Sequence, residues 1–476
     1  MKNISKILSY TILLILSGFL LSGCKPSEET VSKYNQVVSD ADMLIEGKEY
    51  SSAMEKLSDA TELIPQRYDA YERMVDILLL KNRLDDAKKL VDESANKLGE
   101  DDRAKLYIAV GRAFYDNREY SKALACFELA KGTLESGNSV NLEIAKVYLQ
   151  KGNIEGAKSI LKGNFEDELN SEAKLLYSYV LSTTNTQQAL EVVKAIQPSE
   201  QWNDIYLKWE AVLSSLNEDE LFNSAKLAQA YIDGGYPYLA ISVLEPKKGE
   251  MQEYIDGMYL LGKAYYESGK YQESIDTLAG VTTLSNLNQY LYWTIARSYY
   301  LLDDINNATS YYDSAVSYAG DSADVKVYQE YLDLLMDNNQ TTKAEEILRK
   351  AEKIFTDPWV DIYYIKLSYL TKQNEKSVYY SNRIQYEELE GNYKRDYLYW
   401  KTKISIENSQ IDEAKRTLDV YWNLDKYDPR YNLLMGQLRF QEGILDEARS
   451  YSKKAIEYDT ERLVTDEAQK LLARID

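Results

Sequence analysis

The stretch from Tyr107 to Ala130, YIAVGRAFYDNREYSKALACFELA, decides the fold. Its small and large apolar residues recur three or four positions apart, a spacing that puts them on one face of a helix. Elsewhere in the chain, turn signals such as Lys151-Gly152-Asn153 and Ser268-Gly269-Lys270 separate two halves of this kind. The stretch therefore predicts two amphipathic helices joined by a short turn.

The same pattern recurs along the chain. A small residue that follows an apolar or aromatic residue by three positions marks each unit, and ten of the eleven gaps between such residues are 32 to 37 residues long. A period of this size indicates stacked helical hairpins, because one hairpin cannot bury its apolar stripe alone. The sequence thus predicts an all-α solenoid. The marker residues are Ala53, Ala87, Ala123, Ala157, Ala189, Ala240, Ser274, Ala308, Ala344, Ser377, Ala414 and Ala448.

This pattern resembles the tetratricopeptide repeat. The resemblance covers about residues 32–476 and implies a right-handed superhelical solenoid of about twelve units, with the first helices lining a concave surface. Three units depart from the pattern, because Tyr177, Ile365 and Thr402 stand where a small residue is expected. The signature positions of the best-matching unit are Tyr107, Gly111, Phe114, Tyr120, Ala123, Phe127 and Ala130.

One gap, of 51 residues, exceeds a repeat by about one helix length. Trp202 and Trp209, seven residues apart, share a helix face there. We expect an extra helix or spacer over residues 199–221, between about five repeats over 32–198 and about seven over 222–476. This element is either a packed spacer or a hinge or docking element.

Residues 1–23 have the features of a secretory signal, with a basic start and an apolar stretch. The segment ends in Leu21-Ser22-Gly23-Cys24, which resembles a bacterial lipobox and implies that Cys24 is lipidated, with residues 24–31 as a short tether. The alternative is an uncleaved transmembrane helix, for which the stretch is short. Lys25 after the cysteine favours an outer-membrane lipoprotein facing the periplasm, or the cell membrane in a single-membrane bacterium.

Composition limits the chemistry. The chain contains no His, the commonest general base and metal ligand, and shows no phosphate loop, so we expect no enzyme, cofactor or metal. A net charge of −21 argues against a nucleic-acid partner. Cys126 lies in an apolar helical stretch and is expected to be a buried, inert thiol.

The residues after the small first-helix positions form a candidate groove for an acidic peptide segment or an anionic polysaccharide. Arginine pairs with carboxylates and tyrosine offers rigid contact area. The alternative is that Arg112–Asp116 and Lys263–Glu267 are ordinary surface ion pairs. The candidate residues are Arg112, Tyr115, Lys146, Leu149, Gln229, Ile232, Lys263, Tyr266, Arg297 and Tyr300.

The function expected from these features is a membrane-anchored periplasmic scaffold that binds protein partners of the cell envelope and assists the assembly or export of an envelope or secretion complex. Capture of an exported polysaccharide in the concave groove is the alternative binding function, since tyrosine rings stack on sugars. An enzyme with accessory repeats is the alternative of a different class, but the repeats leave no room for a catalytic domain.

Overall fold

The computed structural model describes residues 26–131, 137–164, 171–196, 203–251, 253–282, 289–319 and 323–476. The predicted signal segment, Cys24 and Trp202 lie outside these residues. The described chain is helical and contains no strand, so the prediction of an all-α repeat fold is confirmed. The chain divides into two compact units, Met1–Leu106 and Tyr107–Asp476.

The described helices before the long gap form five hairpins. They are α1 (Glu28–Glu46) with α2 (Tyr50–Leu63), α3 (Tyr68–Leu80) with α4 (Leu84–Ser94), α5 (Glu100–Asp116) with α6 (Tyr120–Ala130), α7 (Gly137–Gln150) with α8 (Ile154–Asn164), and α9 (Ser171–Ser182) with α10 (Thr186–Lys194). The boundary between the two compact units falls inside α5.

The helix α11 (Asn203–Ser214) follows as a single helix, and seven hairpins come after it in the described residues. They are α12 (Glu220–Asp233) with α13 (Pro237–Leu244), α14 (Ile255–Glu267) with α15 (Tyr271–Val281), α16 (Gln289–Leu301) with α17 (Ile305–Ser317), α18 (Val325–Asp337) with α19 (Thr341–Ile354), α20 (Trp359–Leu370) with α21 (Asn374–Arg383), α22 (Asn392–Glu407) with α23 (Ile411–Asp425), and α24 (Pro429–Gln441) with α25 (Leu445–Tyr458). A last helix, α26 (Thr465–Ile475), packs on the final hairpin.

The small residues of the repeat are where paired helices approach each other. A Cβ added to Gly111 would lie 2.6 Å from a ring carbon of Phe127, and one added to Gly262 would lie 2.3 Å from Leu278. Phe127 and Leu278 are both completely buried. The marker residues of the second helices are buried as well, for example Ala123. The spacing seen in the sequence is therefore the spacing of the helix contacts.

The turn inside a hairpin places one residue in the left-handed region. Gly152 (φ 73°), Gly235 (φ 80°) and Gly269 (φ 80°) occupy this position in three hairpins, and Lys48 (φ 57°) occupies it in the first. Glycine adopts this conformation without steric cost, which explains the turn signals in the sequence.

Candidate functional site

The basic residues predicted to line a groove are ion-paired. Nη2 of Arg112 lies 2.7 Å from Oε1 of Glu143, and Nζ of Lys146 lies 2.6 Å from Oε1 of Glu172. In both cases the carboxylate belongs to the first helix of the next hairpin. These cations therefore join neighbouring repeats and are already neutralised by the protein itself.

Two further basic residues of the predicted groove are also paired with carboxylates. Nε of Arg297 lies 3.5 Å from Oε2 of Glu330 on the following first helix, and Nζ of Lys263 lies 4.0 Å from Oε1 of Glu267. The Lys263–Glu267 pair is the local one that the sequence suggested as an alternative. Arg112 instead pairs with Glu143, which lies 31 residues further along the chain.

Leu149 and Ile232 do not line a groove. Leu149 is completely buried and Ile232 is 5% exposed, and both belong to the same core cluster. The cause is helical geometry, because a residue four positions after the small residue returns to the buried face. For these two residues the groove prediction is corrected: they are part of the core.

The aromatic and cationic residues at α14 and α16 do come together. Tyr266, Arg297 and Tyr300 share a small pocket of about 270 Å³ with Glu330. The guanidinium carbon of Arg297 lies 5.0 Å from the ring centroids of both Tyr266 and Trp293. A cation in this position is held by the ring faces as well as by its carboxylate.

A larger cleft of about 700 Å³ lies where α11 meets α9 and α12. This volume is within the range of about 300 to 1,000 Å³ that small-ligand pockets span. Gln229 of the predicted groove lines it, and its amide donates to Asp233 at 2.7 Å. The apolar lining comprises Leu175, Leu176, Tyr179, Ile205, Trp209 and Val212.

The floor of the cleft is held by a hydrogen-bonded aromatic cluster. Trp209, 1% exposed, packs on Tyr179 with ring centroids 4.3 Å apart. Its indole Nε1 donates to Oγ of Ser178 at 2.9 Å, and that hydroxyl donates to the carbonyl of Ala189 at 2.8 Å. Burial, helped by the carboxylate of Asp233, raises the pKa of Tyr179 to about 12, so its hydroxyl stays neutral. The floor is tightly packed and uncharged.

The rim of the cleft carries two lysines that lack a carboxylate partner. Lys208 forms no ion pair with the described residues, and Lys226 only approaches the Phe222 ring, at 5.2 Å. Of the two carboxylates at the rim, Glu172 is neutralised by Lys146, which leaves Asp233. Among the residues that line the cleft, two lysines without a carboxylate partner therefore face one unpaired carboxylate, in a chain of net charge −21.

The cleft lies beside a contact that joins distant repeats. The Gln150 amide donates to the carbonyl of Gly235 at 2.7 Å, although the two residues are 85 positions apart. The same amide donates to the hydroxyl of Tyr115 at 3.2 Å, and a Cβ on Gly152 would meet the Tyr238 ring at 2.8 Å. The turn of the α7–α8 hairpin therefore packs on the turn of the α12–α13 hairpin.

The sequence pointed to part of this site. The long gap between repeats and Trp209 indicated an unusual element, and α11 lies there. Lys208 and Lys226 were not identified, because neither follows the repeat spacing used to choose candidates. Their only sequence signal is their position, since Lys208 lies within the irregular segment 199–221 and Lys226 lies shortly after it.

Within the residues that the structure describes, no group of three or more His, Cys, Asp or Glu is arranged to hold a metal ion, and no helix is long and apolar enough to cross a membrane. Cys126 is fully buried, as expected.

No family model matches the chain, and no curated protein is significantly similar to it. Solved structures of similar fold include Naa15/Naa10 bound to HypK, with 11% identity and a TM-score of 0.39 over 93% of this chain and 96% of that one. Yeast Tom70 has 14% identity and a TM-score of 0.34, over 93% and 95% of the two chains. PilF of Pseudomonas aeruginosa has 14% identity and a TM-score of 0.30, over 55% and 97%. These similarities concern the fold alone.

Proposed function

We propose that this protein is a lipid-anchored scaffold of the bacterial cell envelope, which binds protein partners and assists the assembly or export of an envelope or secretion complex. The observation that carries the binding role is the 700 Å³ cleft at α11. An apolar lining with polar groups at the rim is the usual composition of a binding site. The exposed Ile205 and the half-buried Val212 offer apolar surface that a partner side chain would cover, above the packed Tyr179 and Trp209.

Affinity isolation from native envelopes tests the binding role. Ile205→Arg and Val212→Arg together would place two charges in the cleft, at positions that are exposed or half-buried and so tolerate them. We expect the double variant to lose the proteins that co-purify with the full-length chain. Quantitative mass spectrometry of the bound fraction measures the loss.

Leu129→Arg is the matched control, since Leu129 is 51% exposed on the second helix α6 and lies away from the cleft. The control should keep its partners. If the cleft variant retains the same partners with a normal melting temperature, the cleft is not their binding site. Recovery of a polysaccharide without protein would favour the alternative binding function.

The anchor is the second part of the proposal, and it depends on Leu21-Ser22-Gly23-Cys24. Lipid on Cys24 would hold the helical repeats close to a membrane surface, because only a few residues separate the cysteine from α1. Lys25 at the following position supports placement in the outer membrane of a two-membrane cell.

Labelling with an alkyne-bearing fatty acid tests the anchor. The wild-type chain should take up the label and fractionate with the outer membrane, whereas Cys24→Ala should be unlabelled. Cys126→Ala serves as the control and should be labelled normally, since that thiol is buried. Label on Cys24→Ala, or a wild-type chain without label, would refute lipidation at Cys24.

A further inference from the structure

We propose that the cleft at α11 receives a protein segment in which apolar side chains are flanked by Asp or Glu. The inference rests on the proposed scaffold function and specifies the chemistry of the partner. It places the acidic-segment site at the unpaired helix α11, and not along the row of basic residues on the regular repeats.

The cleft lies along α11, which stacks like the first helix of a repeat but has no second helix of its own among the described residues. Two hydrogen bonds join α11 to α9. The Tyr206 hydroxyl donates to the carbonyl of Ser171, 35 positions earlier, and the Trp209 indole donates to the hydroxyl of Ser178, 31 positions earlier. Consecutive regular first helices are joined at the same separations, as in Arg112–Glu143.

The following helix, α12, pairs with α13, so it does not complete the α11 unit. Along α11, only Tyr206, Trp209 and Leu213 are buried. Ile205, which lines the cleft, is 41% exposed, and Val212 beside it is half-buried. Apolar surface is thus left uncovered at the one place in the interior of the described array where a hairpin is incomplete, and burying it gives a partner binding energy.

The charge of the rim selects the partner. Lys208 and Lys226 line the same cleft without a carboxylate partner among the described residues. A segment carrying Asp or Glu beside its apolar residues would pair with them, and such charge complementarity speeds association and rejects basic segments. The predicted groove cations Arg112, Lys146 and Arg297 are already paired, so they do not offer the same free charge.

Selection of displayed random peptides on the detergent-purified full-length protein tests the inference. Enriched peptides should combine apolar residues with neighbouring Asp or Glu. A fluorescein-labelled copy of the most enriched peptide, titrated into Lys208→Glu/Lys226→Glu, should bind at least about tenfold more weakly than it binds the wild-type chain. The difference should shrink in high salt, because salt screens exposed charges.

Lys453→Glu is the control, because Lys453 is an exposed lysine on the second helix α25 and its reversal makes the same kind of charge change. It should leave the affinity unchanged. Enrichment of basic peptides, enrichment of no peptide, or equal affinity for the double variant would each overturn the inference. The inference would also be overturned if phosphatidylglycerol vesicles bound the wild-type chain but not Lys208→Glu/Lys226→Glu, and no peptide bound either.

These outcomes differ from failure of the scaffold function. If native partners co-purify equally with Lys208→Glu/Lys226→Glu and with the wild-type chain, the protein is still a scaffold, but its binding surface is not the cleft. Loss of every partner from the wild-type isolation would instead end the scaffold proposal.

Discussion

The close approach of the two helices in a hairpin depends on glycine at positions such as Gly262 in the first helix. At Gly262 an added methyl group would lie 2.3 Å from Leu278, which is completely buried. At Gly280, near the end of α15, an added methyl group would meet nothing within 4 Å. The same substitution should therefore have opposite effects at two positions only 18 residues apart.

Gly262→Ala should lower the free energy of unfolding by about 1 to 3 kcal/mol, the usual cost of overpacking a core. Gly280→Ala should raise it by about 0.5 to 1 kcal/mol, since alanine is the better helix former. Urea unfolding followed by circular dichroism measures both. Equal effects at the two sites would show that close helix approach does not depend on Gly262.

The sequence predicted the repeat register because the small and large residues that meet in a hairpin lie close together in the chain. It did not predict the partners of Arg112 and Lys146, because those carboxylates come from the next repeat. Which residues face each other there depends on how one hairpin tilts on another. Leu149 and Ile232 were misplaced for a simpler reason, since a four-residue step on a helix returns to the buried face.

At the scale of single helices, an ion pair joins α26 to α22. Nζ of Lys403, whose side chain is only 9% exposed, lies 3.0 Å from both carboxylate oxygens of Glu467 in the first turn of α26. The same ammonium donates to the Tyr399 hydroxyl at 2.7 Å. A terminal helix of this kind covers apolar surface that would otherwise face water.

Glu467→Ala should destabilise the chain by about 1 to 3 kcal/mol, because it removes the carboxylate partner of a buried ammonium, although Glu467 itself is 44% exposed and water can partly replace it. Glu461→Ala, an exposed change just before α26, should cost less than about 0.5 kcal/mol. Thermal unfolding measures both. A loss for Glu467→Ala no larger than that of the control would mean that the pair does not hold α26.

The packing of α11 depends on the buried side chain of Trp209. Trp209→Ala should cost about 3 to 5 kcal/mol, as for other buried aromatic residues, and should remove the floor of the cleft. Trp422→Ala should cost far less, because Trp422 is 48% exposed. Hydrogen exchange of α11 should rise sharply in the first variant only. Unchanged exchange would contradict the packing assigned to Trp209.

At the scale of the molecule, the run of similar hairpins in the described residues has one irregular point in its interior at which a helix lacks its partner. Arg112, Lys146 and Arg297 on the regular first helices pair with carboxylates of the next repeat, whereas uncovered apolar surface and lysines without a carboxylate partner among the described residues occur together at the α11 cleft. That part of the molecule should contact partners.

Photocrosslinking in living cells tests this claim most directly. A photoreactive amino acid replaces Ile205 in the cleft or Leu129 on the exposed surface of a second helix, in the full-length chain at its native level. Mass spectrometry then identifies what is joined to each position. We predict a specific protein partner at Ile205 and none at Leu129. The same products at both positions, or a partner at Leu129 alone, would contradict the account.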